Sequence, residues 1–369
     1  MRTRSHSTPS HLIRAKGFLH LSAALLSVLL VVGCQVGSTT TPSPAATAPQ
    51  TPTVTETPTS APTPTLEPTA TATATATPHY PLTLTDDEGT TITLPDEPDA
   101  VVSLTPATTE LLFALGAGDK LVGRTDFDDY PPEVVEVPAV ASFSGVLIEQ
   151  VVDLEPDLVI AGGNNFTPAG DVDRLRDLGL PVLVVYAPDM AGVLADVLLV
   201  GQAVGAESEA ESVVGELQAR IDEVSAAVAV LERPRVFYEI GYEPEIYGPA
   251  PESFVADMVN LAGGEPITTT DPAVFSISLE RLVDLNPEVI VLGDAAYGVC
   301  PTNVVIRPGW TQIAAVSDGN VRPVDDIIVT RPGPRIGEGL AALALAIHPE
   351  ANVEPVADAV ELCPELGSV

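Results

Sequence analysis

The sequence predicts an α/β fold, with two parallel-sheet lobes joined by a single long helix. Three observations predict it. From Tyr80 onward, short apolar runs alternate with amphipathic stretches, the order that builds parallel sheets covered by helices. A helix–turn–strand segment occurs twice, as LIEQVVDLEPDLVI from Leu147 and SLERLVDLNPEVIV from Ser278, aligning Glu149 with Glu280, Asp153 with Asp284 and Pro156 with Pro287. Between the copies lies a helical stretch, Glu207 to Leu231, with apolar Val213, Val214, Leu217, Ile221, Val224 and Val228 at helical spacing.

The chain opens with Arg2, Arg4, Arg14 and Lys16 and then runs apolar from Leu21 to Val32, the layout of a secretory signal over residues 1–33 and too short to span a bilayer comfortably. Val31-Val32-Gly33-Cys34 resembles a bacterial lipobox, so Cys34 is expected to be the lipidated mature N-terminus, tethering the exported chain to a membrane surface without a spanning helix. Residues 34–79 are nearly all Thr, Pro, Ala and Ser, as in TATATATATP from Thr69; with nothing to bury, this stretch reads as an extended stalk.

The first lobe is assigned to 80–206. Ala100 to Leu104 reads as a strand, and Pro106 and Gly116 bracket a helix carrying Glu110, Leu111, Leu112 and Leu115. Further strands are expected at Leu121–Arg124, Asp157–Ala161 and Val182–Val185. The connecting helix falls within 207–233, on the order of 37 Å long over its helical stretch at ~1.5 Å per residue. Pro234 closes it, Val236 to Ile240 begins the second lobe (234–350), and 351–369 forms a C-terminal tail.

Composition excludes several function classes. The formal net charge of −35, which loss of a signal carrying four basic residues makes more negative, disfavours nucleic acid and anionic lipid surfaces as partners. Of five histidines only His79 and His348 lie beyond the signal, short of a metal site. Cys300 and Cys363 remain in an exported chain, where a disulfide between them is expected, two separately buried thiols being the alternative. There is no G-x-S-x-G elbow and no P-loop, and Gly116-Ala-Gly118 follows a helix instead of opening one, so the chain does not read as an enzyme.

The motifs VVSLTPATTELLFALGAGDKLVG at Val101, DYPPEV at Asp129, LIEQVVDLEPDLVIAGG at Leu147, SFVADMVNLAGGEPI at Ser253 and RPGPRIGEGLAALALAIHPE at Arg331 cover the folded region. Through them the chain resembles the solute-binding proteins of ABC importers for cobalamin, haem and ferric siderophores, with DYPPEV and RPGPRI closest to the cobalamin branch. The resemblance implies the helical-backbone periplasmic binding protein fold, no cofactor of its own, and cobalamin or a related corrinoid as transported ligand, with haem or a ferric siderophore as alternatives. It implies that Phe127 and Phe143 lie against the corrin ring and that Arg331 reaches the ligand from the second lobe, Arg335 being structural. Gly162 and Val274 stand where the branch places further tryptophans, and Tyr242, Tyr247, Phe275 and Trp310 are candidates to compensate. Tyr130 and Tyr242 complete the expected ligand-binding set; with Tyr247 they would be the iron-ligating groups of a haem binder. Glu149 and Glu280, one per lobe, match the glutamates with which the family docks on a permease dimer driven by cytoplasmic ATPases. A monomer is expected. From a different class, a lipid-anchored surface enzyme or adhesion module could use the same fold.

Overall fold

A computed structural model describes residues 80–164, 166–356 and 362–363. In the first lobe a hairpin of β1 (Leu82–Thr85) and β2 (Thr91–Leu94) precedes a six-stranded sheet made of β3 (Val101–Ser103), β4 (Leu121–Thr125), β5 (Ala139–Ser142), β6 (Gly145–Val146), β7 (Leu158–Gly162) and β8 (Val182–Val185). The spatial order is β6-β5-β4-β3-β7-β8; every neighbour is parallel except β6, which turns back on β5. β7 and β8 are buried along their whole length, as expected of strands covered on both faces.

Helix α1 (Pro106–Ala114) starts and stops where its sequence punctuation directs. Thr105 caps it by accepting a hydrogen bond from the Thr108 amide, Pro106 occupies the first turn, and Gly116 follows in the left-handed region at φ 70°. Helices α2 (Ile148–Asp153), α3 (Ala169–Asp177) and α4 (Met190–Val204) complete the lobe, and Gly205 at φ 75° ends α4.

The long helix α5 spans Glu207–Val228, 22 residues or about 33 Å at ~1.5 Å per residue. It stops three residues before Leu231, whose amide closes a tighter turn by bonding back to the Val228 carbonyl at 3.0 Å. Leu217, Ile221, Val224 and Val228 are buried, packing α5 against α4 on one side and α11 (Ile336–Ile347) on the other.

The second lobe has a parallel four-stranded sheet ordered β11-β9-β13-β14, from β9 (Arg235–Glu239), β11 (Glu265–Pro266), β13 (Val289–Leu292) and β14 (Val321–Pro323), with a small antiparallel pair of β10 (Ile246–Tyr247) and β12 (Ser276–Ile277). Its other helices are α6 (Phe254–Leu261), α7 (Leu279–Leu285), α8 (Pro301–Val305), α9 (Ala314–Ser317) and α10 (Asp326–Thr330). The repeated segments become α2–β7 and α7–β13, one per lobe, each leading into the strand through a proline.

Each lobe has an apolar cluster of its own, around Val159 and Val182 in the first and around Ile290 and Trp310 in the second, and a third joins them. This third cluster runs from Val193, Val197 and Val200 of α4 through Leu217 and Ile221 of α5 to Met258 of α6 and Leu340 of α11. Val353, in the stretch assigned to the tail, is buried in that cluster, so the packed chain extends beyond residue 350. Cys300 and Cys363 are disulfide-bonded with Cα atoms 5.5 Å apart. Cys34 and the stalk lie outside the described residues. Among those described, no helix is long and apolar enough to cross a membrane.

Candidate functional site

A cavity of about 550 Å³ opens between the lobes. Its position follows from topology: in open parallel sheets the backbone leaves the carboxyl ends of the strands as loops and helix starts, which face a common crevice. Accordingly the first-lobe wall is built from the residues after β3 (Thr105 to Thr108), after β7 (Gly162 to Asn164, and Phe166) and after β8 (Val185 to Ala187). Val193, Asp196, Val197 and Val200 of α4 form its base. The second lobe contributes Phe254 and Tyr297, Asp326, Ile327 and Thr330 of α10, and Arg331 and Pro332 after it.

The wall is aromatic. Phe127 and Phe143 pair with ring centroids 4.5 Å apart, and Phe143 is 95% exposed. A ring of that size held almost wholly in water contributes little to folding, so its place at a cavity mouth suits a ligand surface. Phe166 and Tyr186 stand beside it on the same lobe, with Asn164 Nδ2 donating to the Tyr186 hydroxyl at 3.2 Å; Tyr297, 85% exposed, faces them from the second lobe. Gly162 shows why no large side chain stands there: a Cβ would lie 2.7 Å from Thr105 and 3.0 Å from Phe166. Phe166 takes the space.

Three ionisable side chains of the acid and base type line the cavity: Asp196, Asp326 and Arg331. Arg331 Nη1 donates to Glu110 Oε1 at 2.6 Å and to Asp129 Oδ1 at 2.8 Å. Glu110, only 3% exposed, also accepts from Arg335 Nε at 2.8 Å and Nη2 at 2.7 Å. Both arginines come from the second lobe and both acids from the first, so the network ties the lobes together at the edge of the cavity. Asp326 accepts from the Tyr238 hydroxyl at 2.6 Å and the Thr330 hydroxyl; burial pushes its carboxyl up against the lowering effect of those bonds. Burial, together with the charge of Asp87 beside it, pushes Asp196 up to about 8.

The expected site residues divide. Phe127, Phe143 and Arg331 line the cavity. Tyr130 and Tyr242 lie outside its lining. The Tyr130 ring carries the Arg335 guanidinium, Cζ 4.1 Å from its centroid, and so serves the ion network. Tyr242 packs half-buried against the second-lobe core, with the Arg307 guanidinium 3.9 Å from its ring centroid and its ring edge-on to Trp310; Arg307 is itself held by two bonds to buried Glu239. Trp310 is fully buried, and Tyr247, Val274 and Phe275 likewise fall outside the lining. The sequence reading missed Phe166, Tyr186, Tyr297 and Asp196. The first three each follow a parallel strand by one to five residues, a signal that the carboxyl-end rule could have supplied. Glu149 and Glu280 are exposed in the first turns of α2 and α7.

Residues 101–327 match the family model described as periplasmic binding protein. The chain is 34% identical over 276 residues to an uncharacterized ABC transporter substrate-binding lipoprotein of Bacillus subtilis, covering 73% of this chain and 87% of that one. It is 31% identical over 280 residues to a cobalamin-binding protein of Halobacterium salinarum, covering 73% and 74%. Among solved structures, the periplasmic vitamin B12 binding protein of Vibrio cholerae superposes with a TM-score of 0.60 at 23% identity, covering 68% of this chain and 96% of that one, a likeness of fold. A periplasmic heme-binding protein of Roseiflexus is similar in the same sense, with a TM-score of 0.59 at 23% identity over 68% and 98%.

Proposed function

We infer, because the chain belongs to the periplasmic binding protein family, that it is the solute-binding component of an ABC importer and that the solute it captures is cobalamin or a related corrinoid. The observation that carries the ligand reading is the cavity wall: Phe127, Phe143, Phe166 and Tyr186 on one lobe and Tyr297 on the other, around one arginine whose charge is already matched. A flat, largely apolar macrocycle loses much surface to such a wall at low side-chain entropy cost.

Capture and delivery require no covalent step. The lipid on Cys34 and the stalk of residues 34–79 would hold the binding domain at the membrane surface; the anchor is tested by Cys34→Ser, which should release the chain into the soluble fraction, and retention on the membrane would remove it. The exposed carboxylates of Glu149 and Glu280 would then meet basic residues of a permease dimer coupled to ATPases.

Titration of the purified chain with cyanocobalamin and with haemin, read by calorimetry and visible absorption, tests the ligand. One-to-one binding of cyanocobalamin, weakened by Arg331→Ala, is expected. Haemin binding with a ligation band and no response to cyanocobalamin would replace the corrinoid with haem, a reading favoured by one observation, the exposed Tyr297 phenol at the cavity.

A further inference from the structure

Asp196 occupies an unusual position for an acid. It lies on α4 with Val193, Val197 and Val200, its residue is 8% exposed, and it lines the cavity. Its carboxyl meets another acid, Asp87 of the β1–β2 turn, and the two carboxyls are hydrogen-bonded to each other. Asp87 is fixed in turn by accepting the Tyr186 amide at 2.6 Å, and Tyr186 also lines the cavity. Burial and this neighbour hold the Asp196 carboxyl up to about 8. Two adjoining carboxyls in such a setting share one proton and carry one negative charge between them.

Across the cavity the electrostatics are similar. Asp326 is another acid with no cationic partner among the described residues, and Arg331 is already bonded to Glu110 and Asp129. A ligand edge bearing carboxylates would therefore meet like charge on both walls. A carboxamide edge would meet an oxygen free to accept its N–H.

We propose that Asp196, backed by Asp87, is a specificity-determining residue that accepts a hydrogen bond from a carboxamide on the ligand's edge and turns away ligands carrying carboxylate there. The proposal rests on the corrinoid reading and narrows it to a ligand whose periphery is amidated. It also gives a physical reason for the site to disfavour a dicarboxylate macrocycle such as haem.

The test compares cyanocobalamin with the carboxylic acids that mild acid hydrolysis of its edge propionamides yields, which keep the nucleotide loop, by calorimetry on the purified chain at pH 7. The amidated ligand should bind at least ~10-fold more tightly, about 1.4 kcal/mol, as sites built around one hydrogen-bonding pattern discriminate. The Asp87→Asn, Asp196→Asn double variant, which removes the shared charge while keeping shape, should shrink that ratio at least ~3-fold, mainly by tightening the acid form. Equal affinity for the two corrinoids in the unaltered chain overturns the proposal and leaves the corrinoid reading standing. So does an unchanged ratio in a folded double variant. Binding of neither corrinoid overturns the functional reading itself.

Discussion

Replacing Glu110 with glutamine removes the one carboxylate on which two arginines of the other lobe converge. Glu110 receives three charge-assisted bonds, one from Arg331 and two from Arg335, and its side chain is 2% exposed against 15% and 21% for the arginines. Glutamine keeps the shape but offers one accepting oxygen and points an amide N–H at a guanidinium. Removing one partner of a buried pair costs ~3–5 kcal/mol; because the arginines can recruit some water and Arg331 retains Asp129, a loss of about 3 kcal/mol is expected. Urea unfolding measures it, with two readouts. Emission of the single tryptophan, Trp310, reports the second lobe, and far-UV circular dichroism reports the whole chain. Since the lobes share one apolar cluster, both midpoints should fall together. High salt should not reproduce the loss in the unaltered chain, because buried pairs are weakly screened. A loss under ~1 kcal/mol would refute the view that this network holds the lobes in register, and would class it with surface ion pairs.

Three further expectations follow from particular exposures and charges. Phe143→Ala should change unfolding free energy by no more than ~0.5 kcal/mol, because the ring is 95% exposed, yet weaken ligand binding about tenfold; a stability loss without an affinity loss would return Phe143 to the core. Asp196, up to about 8 in the folded chain against ~3.9 unfolded, binds a proton that the unfolded chain releases between those values. Its contribution is therefore full below about pH 4 and drains away as pH rises toward 8, so Asp196→Asn should flatten the pH dependence of stability across that window; identical slopes would contradict the shift. Glu149→Ala with Glu280→Ala should leave solute affinity unchanged and abolish uptake in cells, the docking role failing if uptake persists.

The strands and α1 were legible because they rest on local chemistry: buried β-branched runs for β7 and β8, and Pro106 and Gly116 at the ends of α1. The repeat announced the two lobes for the same reason, a short helix and proline turn written twice. The site was legible only in part. Phe127, Phe143 and Arg331, taken from motif resemblance, line the cavity, whereas Tyr242 and Trp310 read identically as aromatics, Trp310 being buried in the second-lobe core and Tyr242 half-buried against it. Which way an aromatic points is decided by what packs on it, and Arg307 above Tyr242 is 65 residues away in sequence. The Glu110 network joins residues 221 and 225 positions apart, and no local pattern encodes a contact of that range. Asp196 reads as the polar position of an apolar helix, and only the cavity beside it shows that it faces inward.

The most direct measurement is a crystal structure of the chain with cyanocobalamin. The corrin should lie between the lobes, with Phe143 and Tyr297 against it from opposite sides and Arg331 and Asp196 within hydrogen-bond distance of its edge. A corrin held elsewhere, for instance at the surface beside Tyr242 and Glu243, or one touching neither Phe143 nor Tyr297, would contradict the account.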